Sequence, residues 1–191
     1  PIRRTVLREL IGDRQAAIVD LCGGTGDQLK LLAHNGFSNL HCVDLSPEML
    51  AIAGNSDYPI NIYQRDATAT GFDDDRFDVA IISFALHEKD LTTRRNLVAE
   101  AYRILKPGGK LLIVDYVFDD RTKTSGRCAI NLVEWFAGGE HYRNFRDYLT
   151  RGGLAGLIDA AGFHRLKSQR LLHGGAVLNY YLKIIPLAIG L

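Results

Sequence analysis

The 191-residue chain predicts an α/β fold, a single domain spanning residues 1–191 on a doubly wound, mostly parallel sheet with an antiparallel C-terminal hairpin. Three observations lead there. Strand-like and helix-like segments alternate, which implies right-handed βαβ crossovers. The segment "FDVAIISFAL" is apolar on both faces, as a central parallel strand covered on both sides must be. The last two strand-like runs are joined by a turn at His173, Gly174 and Gly175 rather than by a helix.

The elements follow in order. "AAIVDL" is a short β-branched strand, and "DQLKLLAHNG" after it has helical spacing at Leu29, Leu32 and Ala33 with a stop at Gly36. "NLHCVDL" is the second strand. "SPEMLAIAG" opens with Ser46 as N-cap and Pro47 at the first helical position, and ends at Gly54. "INIYQ" and "FDVAIISFAL" are the third and fourth strands. "LTTRRNLVAEAYRIL" is a helix halted by "KPGG", and "KLLIVDYVF" is the fifth strand. "CAINLVEWFAGG" and "GLAGLIDAAGF" are helices, and "RLKSQRLL" with "AVLNYYLKI" forms the hairpin. Any helix before the first strand is short or absent.

Composition excludes several functions. Hydrophobic residues make up 47%, and 23 basic residues balance 22 acidic ones, so no electrostatic footprint for nucleic acid or an anionic membrane exists. The most apolar run, "YYLKIIPLAIGL", is interrupted by Lys183 and Pro186 and falls short of a spanning helix. Cys22, Cys42 and Cys128 are odd in number, widely spaced and without a Cys-x-x-Cys pair, which argues against a disulfide framework or a zinc site and for a reducing, cytoplasmic setting.

The stretch "IVDLCGGTGDQLKLL" concentrates the chemistry. Gly23, Gly24 and Gly26 leave the first strand where such sheets bind ligands. Glycines permit positive φ and close approach to the backbone, and the following helix offers its N-terminal amides to an anion. The dinucleotide pattern G-x-G-x-x-G fails at Leu29, and no Lys-Ser/Thr follows for a phosphate loop. Asp44 ends the second strand, 18 residues after Gly26, where its carboxylate can accept from both ribose hydroxyls. Asp66, in "QRDAT", can accept from an exocyclic amine with the Ala67 amide facing a ring nitrogen. Such an acidic edge suits a ligand with a positive charge and no phosphate, and S-adenosylmethionine is one.

In order and spacing, "VDLCGGTGDQL", "CVDLSPEML", "RDAT", "FDVAIISFALHE" and "LKPGGKLLIVD" resemble the class I S-adenosylmethionine-dependent methyltransferases, within them the small-molecule branch that includes the quinone C-methyltransferases. The resemblance covers about residues 15 to 118. It implies a Rossmann-like sheet of seven strands in the order 3-2-1-4-5-7-6, and a helical segment at 119–153 covering the substrate. It implies that Asp20, Gly23, Gly24 and Gly26 shape the pocket for the methionine half, that Asp44 holds the ribose and that Leu45 lies on the adenine face. Asp66 and Ala67 would read the adenine edge, and Ser83 and Phe84 would line the pocket beside the sulfonium. The implied activity is methyl transfer from S-adenosylmethionine to a small, apolar or aromatic acceptor, leaving S-adenosylhomocysteine. The implied partners are that small molecule and no nucleic acid, with room for a homodimer. A non-catalytic S-adenosylmethionine-binding module and an NAD(P)-dependent oxidoreductase are the alternatives.

Several residues admit two readings. His87 in "LHEKD" and His141 in "GGEHYRNF" are candidate general bases or structural hydrogen-bonding groups. Asp66 is a ligand or a loop cap. Asp73, Asp74 and Asp75 read as a solvated turn, so no metal is expected. Cys22 stands where the family's first glycine falls, either a small buried substitute or a redox thiol with its pKa lowered at a helix N-terminus. Trp135, Phe136, Tyr142, Phe145 and Tyr148 are helix packing or an aromatic lid.

Overall fold

The structure, a computed structural model, describes residues 2–159 and 161–184. Its sheet has seven strands in the order β3-β2-β1-β4-β5-β7-β6. They are β1 (Ile18–Leu21), β2 (Leu40–Asp44), β3 (Asn61–Gln64), β4 (Phe77–Ser83), β5 (Leu105–Tyr116), β6 (Phe163–Leu171) and β7 (Ala176–Lys183). The first five run parallel, and β7 is antiparallel to both β5 and β6. Both the fold class and the strand order expected from the sequence are therefore observed.

Alternation along the central strands divides the core in two. Val19, Leu21, Ala80 and Ile82 pack on one face with Leu97, Val98, Ala101 and Ile104. Ile18, Val79 and Ile81 pack on the other with Leu29, Leu32 and Leu50. The first group lies under α4 (Leu91–Ile104); the second lies under α2 (Asp27–His34) and α3 (Pro47–Gly54). Ser46 caps α3 as expected, its hydroxyl accepting from Met49 N at 3.2 Å. Asp90 caps α4 through Thr92 N and Thr93 N.

One feature settles an alternative that the sequence left open, and three depart from its expectation. A nine-residue helix α1 (Ile2–Leu10) precedes β1 and buries Val6 and Leu10. β4 stops at Ser83 because Phe84 takes a left-handed φ of 54°. β5 begins at Leu105, so "KPGG" lies within the strand as a bulge where pairing passes from Phe77↔Leu105 to Val79↔Lys110. Between β5 and β6 the chain forms α5 (Thr124–Phe136), α6 (Gly139–Thr150) and the short α7 (Ala155–Asp159). α6 is absent from the sequence reading as a separate element; Gly138 with φ 118° separates it from α5. Residue 160 and residues 185–191, the end of the apolar tail, lie outside the described residues. No helix among the described residues is long and apolar enough to cross a membrane.

α6 is held over the carboxyl end of the sheet by one buried cation. Arg94 of α4 is 2% exposed. Its Nε donates to Leu86 O at 3.0 Å, its Nη1 meets Asp147 at 2.8 Å and its Nη2 donates to Asn144 O at 2.5 Å. Its guanidinium also stacks on Tyr148. Breaking a buried charged network of this kind typically costs roughly 3 to 5 kcal/mol. Arg94→Met is expected to lose roughly 2 to 4 kcal/mol, at the lower side because no charge is left stranded. Amide exchange should quicken in residues 139–150 ahead of the sheet; uniform acceleration across the chain would contradict a local clamp.

Candidate active site

The chain leaving β1 is strained. Cys22 has φ 60°, Gly24 54° and Gly26 69°. The three glycines serve different ends. A Cβ on Gly23 would lie 2.8 Å from Cys42 Sγ, and one on Gly26 would lie 3.0 Å from Ala53 Cβ in α3, so both positions are fixed by close packing inside the fold. Gly24 alone has open space where a Cβ would stand. Cys22 accepts the left-handed conformation that the family's glycine would take more cheaply. Burial pushes its thiol up to about 12, so the lowered pKa of a redox thiol is not found.

Asp44 ties this loop to the next. Its Oδ2 accepts from Gly24 N at 2.8 Å and its Oδ1 from Ser46 N at 3.0 Å. Two cavities meet around Gly24. One, of about 760 Å³, is lined by Asp20, Cys22, Gly23, Gly24, Met49, Ser83 and Phe84, with Arg3 and Arg4 of α1 at its edge. The other, of about 710 Å³, is lined by Asp44, Leu45, Asp66, Ala67, Ser83, Phe84, Glu88, His141 and Asn144, among others. Gly26 and His87 line neither. Leu45 and Met49 are 64% and 44% exposed, apolar surface left uncovered at the rim. Asp66 both lines the cavity and caps its own loop, its Oδ1 accepting from Thr68 N and Oγ1 at 2.8 Å.

Asp20 is the unsatisfied group of the site. It is 2% exposed, and its Oδ1 has no hydrogen-bond partner. Burial, with the neighbouring Asp44 charge adding to it and Arg3 opposing, raises its pKa to about 7.

A second network sits where α6 covers the sheet. His87 is 4% exposed, with Nδ1 2.7 Å from Asp115 Oδ1, while Asp115 Oδ2 accepts from the Leu86 and His87 amides. His87 Nε2 lies 3.5 Å from Glu134 Oε2, which also meets His141 Nε2 at 2.5 Å. Burial works to lower the His87 pKa, but the hydrogen bond and charge of Asp115, with Glu134 and Glu88, raise it overall. Burial and Glu134 together also raise the Tyr116 hydroxyl above its ordinary value. Of the two candidate bases, only His141 borders the cavity; His87 stands behind it.

The aromatic lid does not form as such. Phe145 and Tyr148 are core, while Trp135 and Phe136 are 60% and 74% exposed on the outside of α5. What α6 presents to the cavity is polar: Glu140, His141 and Asn144. Asp74 and Asp75 are surface acids paired with Arg103 and Lys183, as a solvated turn would be. A third hollow, of about 720 Å³, lies at the amino ends of the strands, where Lys106 pairs with Asp78 and Lys110 with Asp13. Arg3, Arg4, Asp115, Tyr116, Glu134 and Asn144 escaped the sequence reading. Asp115 alone had a signal, since it ends the quoted "LLIVD".

Residues 18–109 match the family described as "Methyltransferase domain". The ubiquinone/menaquinone biosynthesis C-methyltransferase UbiE of Ruegeria sp. (strain TM1040) is 31% identical over 189 residues, which cover 87% of this chain and 74% of that protein. The chain thus belongs to the class I S-adenosylmethionine-dependent methyltransferases, with S-adenosylmethionine as cofactor. Within that class it resembles the quinone C-methyltransferases. A demethylmenaquinone methyltransferase of Clavibacter sepedonicus is 29% identical over 177 residues, 85% of this chain and 71% of the other. The structure of the 1,6-didemethyltoxoflavin-N1-methyltransferase of Burkholderia thailandensis, with 1,6-didemethyltoxoflavin and S-adenosylhomocysteine bound, shares the fold. Its TM-score is 0.66 at 18% identity, over 96% of this chain and 77% of that one.

The buried Asp20 makes stability depend on pH. The folded protein keeps the Asp20 proton to about pH 7, whereas an unfolded Asp loses it near 3.9. Between those values the folded state binds more protons, so this residue makes stability fall as pH rises. Asp20→Asn should remove that slope and gain roughly 2 to 3 kcal/mol on the native protein between pH 5 and 8. Parallel melting curves for the two proteins across that range would contradict it.

Proposed function

We propose that the chain transfers the methyl group of S-adenosylmethionine to a small, ring-containing acceptor that bears an oxygen, of the kind the quinone methyltransferase relatives take. The observation that carries this reading is the pair of cavities meeting at Gly24, one ending in an unpartnered buried acid and the other bounded by a polar face of α6.

The residues present fit the cofactor group by group. Asp20, with its unpaired Oδ1, would receive the ammonium, and Arg3 and Arg4 would face the carboxylate beside the bare backbone of Gly23 and Gly24. Asp44, whose carboxylate is already oriented by two amides, would accept from the ribose hydroxyls. Leu45 would cover one face of the base, with Asp66 and Ala67 along its edge. Ser83 and Phe84, common to both cavities, would border the sulfonium. The cofactor supplies an electrophilic methyl on a sulfur that loses its charge as the methyl leaves.

The protein's part is to align and to exclude water, which accounts for much of the acceleration when charge disappears in the reaction. His141 would hydrogen-bond the acceptor and take up its proton. Glu134 fixes the His141 ring, and Asp115 fixes His87 behind it. The acidic carboxyl end of the sheet, with Asp20, Asp44, Asp66 and Asp115, favours a cationic ligand and disfavours the pyrophosphate of NAD.

Asp44→Ala should weaken S-adenosylhomocysteine binding by roughly 2 to 3 kcal/mol in calorimetry, through loss of two charge-assisted hydrogen bonds. An unchanged dissociation constant would remove the ribose contact. Incubation with a panel of quinols and hydroxylated aromatics should release S-adenosylhomocysteine, and His141→Ala should cut that turnover at least tenfold while leaving cofactor affinity within about twofold. Tight cofactor binding with no turnover on any acceptor would favour the non-catalytic module.

A further inference from the structure

The network behind the acceptor pocket contains a charge imbalance. Asp115 is fully buried and Glu134 is 4% exposed. Among the described residues, neither carboxylate forms an ion pair with an arginine or lysine; their ionic partners are His87 and His141. The nearby Lys89 is committed to Glu88 at 2.8 Å. Buried carboxylates need a compensating charge.

The arrangement around them is that of a ligand set. His87, Glu134 and His141 each turn one ligand atom into a common space, all within 4.8 Å of one another. Tetrahedral ligands at 2.0–2.1 Å from an ion stand about 3.4 Å apart. His87 Nε2 and Glu134 Oε2 are already at 3.5 Å, while the 2.5 Å between His141 Nε2 and Glu134 Oε2 would need to open by about an ångström. One imidazole also has a hydrogen-bonded outer carboxylate. His87 gives its far nitrogen to Asp115 at 2.7 Å. The far nitrogen of His141 is 3.8 Å from Glu88, close enough for charge attraction but not for a hydrogen bond, and Glu134 is paired with the Tyr116 hydroxyl. Carboxylates behind coordinating imidazoles fix the tautomer that leaves the inner nitrogen free to bind metal. The three ligands come from three elements, the loop after β4, α5 and α6, so an ion would also pin the helical cover to the sheet.

We propose that His87, Glu134 and His141 bind a divalent transition-metal ion of the Zn²⁺ or Fe²⁺ kind. Two imidazoles with one carboxylate suit such ions and not the all-oxygen shells of Mg²⁺ or Ca²⁺. This runs against the sequence expectation of no metal, which weighed Asp73, Asp74 and Asp75 and the widely spaced cysteines but not a set of two histidines and a glutamate. His141 borders the acceptor cavity, so the free coordination position would open on that side. With an ion bound, the two histidines act as ligands and the acceptor's oxygen can meet the metal directly, so the base role of His141 proposed above belongs to the metal-free protein.

The test uses the untagged full chain, stripped with EDTA, and needs neither cofactor nor acceptor, so its outcome is separate from that of methyl transfer. Titration with Zn²⁺ should show one tight equivalent. Co²⁺ should give the intense visible bands of a four- or five-coordinate site. His141→Ala, at a partly exposed position, should fold by circular dichroism and lose affinity about 100-fold or more, and Asp115→Asn about 10- to 100-fold. Equal affinity in native protein and His141→Ala would place the metal elsewhere and overturn the proposal. So would the absence of saturable binding, or a Co²⁺ spectrum indistinguishable from the aquo ion.

Discussion

The structure turns on the Asp44 carboxylate. One oxygen takes the amide of Gly24 and the other that of Ser46, so one side chain at the end of β2 holds two successive loops at the same edge of the sheet. Charge-assisted bonds of this kind are worth roughly 1.5 kcal/mol each at the low end of their range, enough to hold Gly24 in its left-handed conformation and Cys22 beside it. Asp44 is thereby oriented before any ligand arrives. Its remaining lone pairs point the site's chemistry towards a diol, and the bare backbone of Gly24 leaves space next to it. Loss of this carboxylate would free the loop as well as a contact, which is why the site and the local fold cannot be altered separately.

Buried acids set the electrostatics around that anchor. Asp20 at the end of β1 and Asp115 at the end of β5 are both nearly inaccessible, yet their surroundings differ. Asp115 accepts from two amides and an imidazole. Asp20 has an orphaned oxygen and a pKa near 7. A fold tolerates an unsatisfied buried acid at a cost in stability, and one facing a cavity is compensated when a cation enters. The strained backbones of Cys22 and Phe84, each just past the end of one of the adjacent strands β1 and β4, border the same space. Strain and unmet polarity thus coincide at one end of the sheet.

The sequence made the sheet legible because its strands are short apolar runs broken by glycines and capped helices, a periodicity that tertiary packing rarely overrides. Asp44 and Asp66 could be placed because strand ends face the ligand side in any such sheet. The glycine loop was legible only as a whole: Gly23 and Gly26 are explained by Cys42 and Ala53, partners distant in sequence. The cover was harder. α5 and α6 carry apolar and aromatic residues on more than one face, so Trp135 and Phe145 looked equivalent until packing put one outside and the other in the core. The union of His87, Asp115, Glu134 and His141 depends on the pairing Ser83↔Val114, which aligns the ends of β4 and β5, and on Arg94, which seats α6 above them. Neither contact has a local signature.

A crystal structure with S-adenosylhomocysteine bound tests the central claim most directly. The account predicts both ribose hydroxyls within about 3 Å of Asp44, the amino-acid end beside Gly24 and Asp20, and the Gly24 and Ser46 amides still bonded to the carboxylate. A nucleoside bound elsewhere, or an Asp44 side chain turned away from the sugar, would contradict it.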